Sequence, residues 1–142
     1  MKTRMLSVVT MMFVLLLAAQ ADGKQQMKKY FADTAKKVKA TEDVVEKRQI
    51  LEDSFSKMTK ALDVVARSAS ISDADRVGIE RFKASLQEKQ NELAGTNGFQ
   101  PVSDSQLNSY SQYVVQEMEQ AEMITISVVT LLLILIIVIL LV

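Results

Sequence analysis

A serine and a lysine near the middle of the chain have a spacing that some enzymes use for nucleophilic catalysis. Ser54-Phe55-Ser56-Lys57 has the pattern Ser-x-x-Lys, in which a lysine amine can activate a serine hydroxyl. Enzymes with this motif also need companion Ser-Asp-Asn and Lys-Thr-Gly motifs, which the sequence lacks. Phe55 continues an apolar helical stripe, and Asp53 lies four residues before Lys57 as an ion-pair partner. We therefore interpret the motif as an ordinary helix face.

Acidic clusters are the second group of residues with possible chemistry: Glu42/Asp43/Glu46, Glu52/Asp53 and Glu117/Glu119/Glu122. The chain has no His and no Cys, so a metal site would need an all-oxygen ligand set, which suits Mg²⁺ or Ca²⁺ at best. No Asp-x-Asp-x-Asp-Gly calcium loop is present. General acid–base catalysis needs a cleft that shifts a carboxyl pKa, which thin helical bundles rarely provide. The acids are interpreted as solvated faces, and we predict no catalytic residue, no metal site and no cofactor.

Two further segments could bind anions. Gly95-Thr-Asn-Gly98 lacks the Lys and Ser/Thr that complete a phosphate-binding loop, so it is predicted to be a helix stop and turn. The segment Lys24–Lys39 holds six Lys against one Asp. It could contact anionic lipid headgroups, cell-wall polymer or the acidic stretch Glu92–Glu122, but a solvated helix face is the simpler interpretation. Nucleic acid is not expected as a partner, because the domain is predicted to be exported.

Apolar periodicity predicts that these side chains lie on helices. No Gly or Pro occurs from Lys24 to Val77. Apolar residues recur there at intervals of three and four in one stripe: Leu51, Phe55, Met58, Leu62, Val65 and Ala69. A similar stripe lies upstream, with a slip near residues 44–48: Met27, Phe31, Val38 and Val45. Four acid-then-base pairs at i,i+4 also favour helix: Asp33–Lys37, Asp43–Lys47, Asp53–Lys57 and Asp63–Arg67.

Two capping boxes predict where later helices begin. Ser72 with Asp75 opens a second helix that ends at Gly95, and Ser103 with Gln106 opens a third. The inward residues of these helices are predicted to be Ile79, Phe82, Leu86 and Leu93, followed by Leu107, Tyr110, Val114, Met118 and Ala121.

The predicted fold is all-α, a small helical bundle or helical hairpin of about three helices whose last helix continues into a C-terminal transmembrane helix. An extended coiled-coil dimer is the alternative, because the heptad pattern covers about three heptads.

The apolar N-terminal block predicts export. Lys2 and Arg4 precede an apolar run from Met5 to Ala19, and Ala19-Gln-Ala21 has the small-x-small pattern that signal peptidase recognises. Residues 1–21 are therefore predicted to be a signal peptide cleaved after Ala21, with an uncleaved signal anchor as the alternative. The domain at residues 22–122 is expected on the extracytoplasmic side, periplasmic or extracellular.

The C-terminal block, residues 123–142, is predicted to be a transmembrane helix. Ile124–Val142 contains no charged residue, and nineteen helical residues span about 28 Å, close to the hydrocarbon thickness of a bilayer. The tail also resembles a glycolipid-anchor signal that is removed, with Ser109 or Ser111 as possible attachment sites. The glycolipid-anchor interpretation is weaker, because the segment between these serines and the apolar tail is a poor flexible spacer.

These predictions favour a single-pass, membrane-anchored, non-enzymatic envelope protein that acts as a structural or protein-interaction module. Its partners would be the lipid bilayer through residues 124–142 and a second protein or copy through the helix faces. The alternative is an accessory subunit whose transmembrane helix packs inside a larger membrane complex for transport or lysis. The residues expected to carry the packing are Leu51, Phe55, Met58, Leu62, Val65, Phe82, Leu86 and Tyr110.

Overall fold

The computed structural model describes residues 23–120 and 126–141, and over these residues the chain is entirely helical, without strands. The described elements are α1 Gly23–Ala40, α2 Val44–Ala66, α3 Asp73–Ala94, a 3₁₀ turn Asp104–Gln106, α4 Leu107–Gln120 and α5 Val128–Leu140. The prediction of an all-α bundle is confirmed. The described part nevertheless holds five α-helices rather than about three, because two predicted long helices are each divided.

The first division separates α1 from α2. Asp43 takes an extended conformation and its carboxylate accepts a hydrogen bond from the backbone N–H of Val45 at 2.9 Å, which caps the start of α2. Asp43 therefore begins a helix instead of pairing with Lys47, whose amine contacts the side-chain oxygen of Asn108 on α4 at 2.7 Å. The slip in the apolar pattern near residues 44–48 marks this break.

Side-chain ion pairs also differ from the predicted i,i+4 series. Asp33 pairs with Lys29, which precedes it by one turn, at 3.1 Å. Asp63 pairs with Lys83 of α3, so this acid links two helices instead of bracing one. The helix assignment was right, whereas the partners of these two acids were wrong, because tertiary neighbours compete with neighbours along the helix.

The second division separates α4 from α5. The predicted continuous helix from the third helix into the C-terminal span is wrong, since Ser127 is extended and caps a new helix, α5, that begins at Val128. α5 has 13 residues, about 20 Å of helix. Within residues 23–120 and 126–141, no helix has both the length and the hydropathy needed to cross a bilayer. The predicted signal peptide at residues 1–21 lies outside the described residues.

α2 lies at the centre of the bundle. It packs against α1, α3, α4 and α5, while α1 also packs against α4 and α5. All eight residues expected to carry the packing are buried: Leu51, Phe55, Met58, Leu62, Val65, Phe82, Leu86 and Tyr110. Two stripe residues were predicted wrongly: Val45, in the exposed first turn of α2, and Ala69, in the exposed turn after Ala66.

The connection from α3 to α4 begins at a glycine, as predicted. Gly95 has a φ of 73°, in the left-handed region, and its N–H donates to the carbonyl of Asn91 at 2.9 Å. The predicted capping box at Ser103 is wrong: this residue precedes the 3₁₀ turn and its side chain caps no backbone N–H. α4 therefore starts at Leu107, three residues later than the box would place it.

Candidate docking site for the C-terminal helix

The docking site is built around the first turn of α3. Ser72 is the N-cap, and its hydroxyl accepts a hydrogen bond from the backbone N–H of Asp75 at 3.1 Å. This is the first half of the predicted capping box. In the second half the carboxylate of Asp75 would return to the N–H of Ser72, but here that carboxylate faces α5.

Asp75 binds the N-terminal turn of α5 with both carboxylate oxygens. The backbone N–H of Ser127 donates to Oδ1 at 2.9 Å, and the Ser127 hydroxyl donates to Oδ2 at 2.7 Å. The hydroxyl of Thr130 donates to the same Oδ2 at 2.6 Å. Asp75 is only 6% exposed and Thr130 only 4%. We call this group of three residues the Asp75 latch.

The latch favours an ionised carboxylate. Burial raises the pKa of Asp75, but hydrogen bonds from Thr130, Ser127 and Ser72 lower it by more, so the pKa lies below its usual value. The N–H groups at the start of α5 also carry a partial positive charge, which attracts an anion. Asp75 is therefore a charged acceptor at neutral pH, and hydrogen bonds to charged acceptors are stronger than neutral ones.

The helix that the latch holds is apolar on both faces. Its inner face is buried against α1 and α2 and comprises Thr130, Leu131, Ile134, Leu135 and Val138. Its outer face carries exposed large apolar residues, which are Val128, Val129, Leu133 and Leu140. A surface helix of a globular protein normally presents polar residues outward. The outer face of α5 is thus an apolar surface without a polar covering.

A second polar cluster joins α3 to α4. The side chain of Lys89 is 5% exposed, and its amine lies 3.1 Å from Glu92 Oε1, 3.2 Å from the Tyr113 hydroxyl and 3.9 Å from Glu117 Oε2. Burial lowers the pKa of Lys89, but the hydrogen bonds and charges of Tyr113 and Glu92 raise it by more, so the net shift is upward. A lysine that acts as a general base needs a lowered pKa. This cluster has the features of a structural tie between helices.

The Ser-x-x-Lys serine is part of a helix interface. Ser54 is buried, its hydroxyl lies 2.9 Å from that of Thr34, and its carbonyl accepts a hydrogen bond from the Tyr30 hydroxyl at 2.7 Å. The structure thus uses Ser54 to join α1 to α2. No group of acidic residues in the described ranges is arranged to hold a metal ion. In the acidic cluster at residues 117–122, the side chains of Glu119 and Glu122 lie outside the described part.

The Asp75 latch was not predicted from the sequence. Asp75 and Ser127 are 52 positions apart, and no local pattern joins them. A signal did exist, because Thr125, Ser127 and Thr130 interrupt the start of an otherwise apolar run. Hydroxyl groups there need hydrogen-bond partners once they are buried. Comparison with protein-family models, curated proteins and solved structures finds no match for the chain.

Proposed function

We propose that this chain is a non-enzymatic helical interaction module of a cell envelope, attached to a bilayer through its apolar C-terminal segment. The helices at residues 23–120 would form the part that faces water and partners. Residues 124–142 would provide the attachment, because this run of nineteen residues carries no charge. The signal-peptide pattern at residues 1–21 supports an extracytoplasmic location for the module.

The single observation that carries the proposal is the apolar outer face of α5. Val129 is 70% exposed, Leu140 60% and Leu133 39%, and α5 contains no charged residue. Contiguous apolar surface of this kind marks contact with a membrane or another protein. Lipid suits it best, because the inner face is apolar as well and would also be compatible with hydrocarbon.

A spanning attachment would require residues 126–141 to leave the bundle. The 13 residues of α5 form about 20 Å of helix, whereas a hydrocarbon core is about 30 Å thick. All nineteen residues of 124–142, as one helix, would reach about 28 Å. The bundle-docked helix is therefore proposed to be the form in water, and a longer helix the form in lipid.

The non-enzymatic part of the proposal is supported by the use made of the reactive side chains. Ser54 joins α1 to α2, Lys89 joins α3 to α4, and Asp75 holds α5. Each is committed to contacts that stabilise the fold. The upward pKa shift of Lys89 also keeps its amine protonated at neutral pH, which is unsuitable for a base.

A charge placed in the middle of the proposed span tests the attachment. Leu133→Lys should be tolerated in the bundle, because Leu133 is 39% exposed on the outer face of α5. A lysine at the centre of a span costs about 2.5–3.5 kcal/mol, so membrane insertion should fall roughly a hundredfold. The measurement is retention of residues 22–142 in reconstituted vesicles after a carbonate wash.

Val64→Lys is the matched control, because Val64 is 47% exposed on α2, outside the span. The wild-type chain and V64K should both remain with the vesicles, and L133K should be released. Release of the wild-type chain would contradict the proposed attachment. Residues 131–142 can then be replaced by an unrelated apolar helix. If function in cells is kept, the segment is a tether. If function is lost, the segment packs specifically within a membrane complex.

A further inference from the structure

The Asp75 latch gathers three hydrogen bonds on one buried carboxylate, which is more than a helix cap requires. One bond comes from the backbone N–H of Ser127 and two come from the hydroxyls of Ser127 and Thr130, at 2.6–2.9 Å. The two hydroxyls are 3.0 Å apart and also cap their own helix, since Ser127 Oγ accepts from the Thr130 N–H at 3.4 Å. The carboxylate therefore recognises a Ser-x-x-Thr turn at the start of a helix.

The contact joins parts of the chain that only the tertiary fold brings together. Asp75 lies in the first turn of α3, while the inner face of α5 packs on α1 and α2. The apolar contacts would hold α5 against α1 and α2 without fixing its position along these helices. The latch supplies that position, because hydrogen bonds are directional and burial of apolar surface is not.

The residues that the latch holds belong to the segment proposed to enter the bilayer. A helix that is inserted in lipid cannot at the same time lie against α1 and α2 with its first turn on Asp75. Docking and insertion are thus mutually exclusive states of residues 126–141. Any contact present only in the docked state shifts the balance towards docking by its own free energy.

We propose that Asp75 is an intramolecular binding site for the N-terminal turn of α5, which keeps the apolar helix in the bundle until a bilayer competes for it. The ligand of the site is the chain's own Ser127–Thr130 turn. This inference rests on the proposed membrane attachment for its purpose, but the latch itself acts in water. Loss of the latch should expose the inner face of α5 more often and make insertion easier.

The latch can be tested in buffer with a single thiol, because the chain contains no Cys. Ile134→Cys places the thiol on the inner face of α5, where Ile134 is 0% exposed. A water-soluble maleimide then reports how often α5 leaves the bundle. Asp75→Asn in this background should raise the labelling rate about tenfold or more, since it removes a charged acceptor of three hydrogen bonds.

Asp73→Asn is the matched control for the loss of charge. Asp73 lies in the same turn of α3, is exposed and contacts Arg76 at 3.2 Å, so both substitutions remove one negative charge from the start of α3. Only D75N removes the charge and one acceptor oxygen from the group that binds Ser127 and Thr130. The labelling rate of D73N should stay within about twofold of the parent, because exposed ion pairs contribute little. Equal rates in D75N and D73N would overturn the latch.

A second reporter separates release of α5 from unfolding of the bundle. Leu86→Cys places a thiol in the core on α3, where Leu86 is 0% exposed. In D75N this thiol should stay protected while the I134C thiol reacts. If both react equally fast, Thr130→Val decides: it removes one hydroxyl from α5 and leaves Asp75 in place. Release in T130V with the L86C thiol protected supports the latch, and no release overturns it.

Vesicle binding distinguishes this inference from the proposed attachment. With vesicles, D75N should insert at least several-fold faster than D73N. A chain that inserts normally but shows no difference between these two variants has an anchor without a latch. A chain that shows the difference in buffer but never enters vesicles has a latch without an anchor.

Discussion

The guanidinium groups of Arg48 and Arg76 donate hydrogen bonds to carbonyl oxygens at or near the ends of neighbouring helices. Arg48 donates to the carbonyls of Leu93 at 3.0 Å and Val102 at 2.7 Å, at the end of α3 and in the following loop. Arg76 donates to the carbonyl of Ala66 at 3.1 Å, at the end of α2. The last carbonyls of a helix have no intrahelical partner. These two side chains therefore satisfy helix ends while joining α2 to its neighbours.

Tyr110 provides a pH test of the contact between α3 and α4. Its buried hydroxyl donates to the carbonyl of Lys89 at 2.6 Å, and burial, followed by the charges of Glu92 and Tyr113, raises its pKa well above the ordinary value of 10.0. Folding therefore protects the neutral phenol. Its contribution to stability is complete below pH 10 and is lost as the pH rises towards the folded pKa.

Tyr110→Phe should lower the free energy of unfolding at pH 8 by about 1 kcal/mol, because the hydrogen bond from the Tyr110 hydroxyl to the Lys89 carbonyl is lost. Above pH 10.5 the wild-type value should fall more steeply than that of Y110F, by about 1.4 kcal/mol per pH unit. Urea unfolding at pH 8 and pH 11 measures both values. Parallel curves for the two proteins would show that the phenol does not contribute to this pH dependence.

At the scale of elements, the end of α3 depends on one glycine. A Cβ on Gly95 would lie 2.5 Å from Cδ and N of Pro101, and the φ of 73° is strained for any side chain. Gly98 has a φ of 89° but no atom within 4 Å of a Cβ built there. A side chain at either position would therefore be strained by the positive φ, but only at Gly95 would it also clash with Pro101.

Gly98→Ala should reduce the free energy of unfolding by about 1–2 kcal/mol, which is the cost of a left-handed conformation for alanine. Gly95→Ala should cost about 1–3 kcal/mol more, because the backbone and ring of Pro101 must also move. Thermal and urea unfolding of both variants measure this difference. Equal losses would mean that Pro101 relaxes without strain and that the close approach has no role.

Helix type and core residues were predictable from the sequence, and helix boundaries much less so. The stripe from Leu51 to Val65 is set by the period of the helix alone, and it is buried throughout. The break at Ser127 was missed, and the break at Asp43 was indicated only by the slip near residues 44–48, because each break depends on a side chain that caps a new helix instead of continuing the old one. Such caps compete closely with helix continuation, and local sequence does not decide the outcome.

The site was less predictable than the fold for a physical reason. Asp75 was expected to complete a local capping box, and its N–H does bind Ser72. Its carboxylate instead meets the hydroxyls of Ser127 and Thr130, because the Thr130 hydroxyl is buried when α5 docks and needs an acceptor there. A requirement created by tertiary packing has no period or spacing in the sequence.

For the whole molecule, the central feature is an apolar helix that belongs both to the bundle and to an uncharged run of membrane length. Burial of the inner face of α5 against α1 and α2 stabilises the bundle in water, whereas its exposed outer face does not. In lipid both faces would be buried. The balance between these two environments is what the proposed function depends on.

Depth-dependent quenching of a fluorophore at position 133 tests this account most directly. Leu133→Cys carries an environment-sensitive fluorophore on the outer face of α5, and Val64→Cys carries it at a similarly exposed position on α2. On addition of vesicles with a quencher at the bilayer centre, we predict a blue shift and strong quenching of the L133C probe, and neither for the V64C probe. Emission that stays water-like and unquenched at both positions would contradict the account.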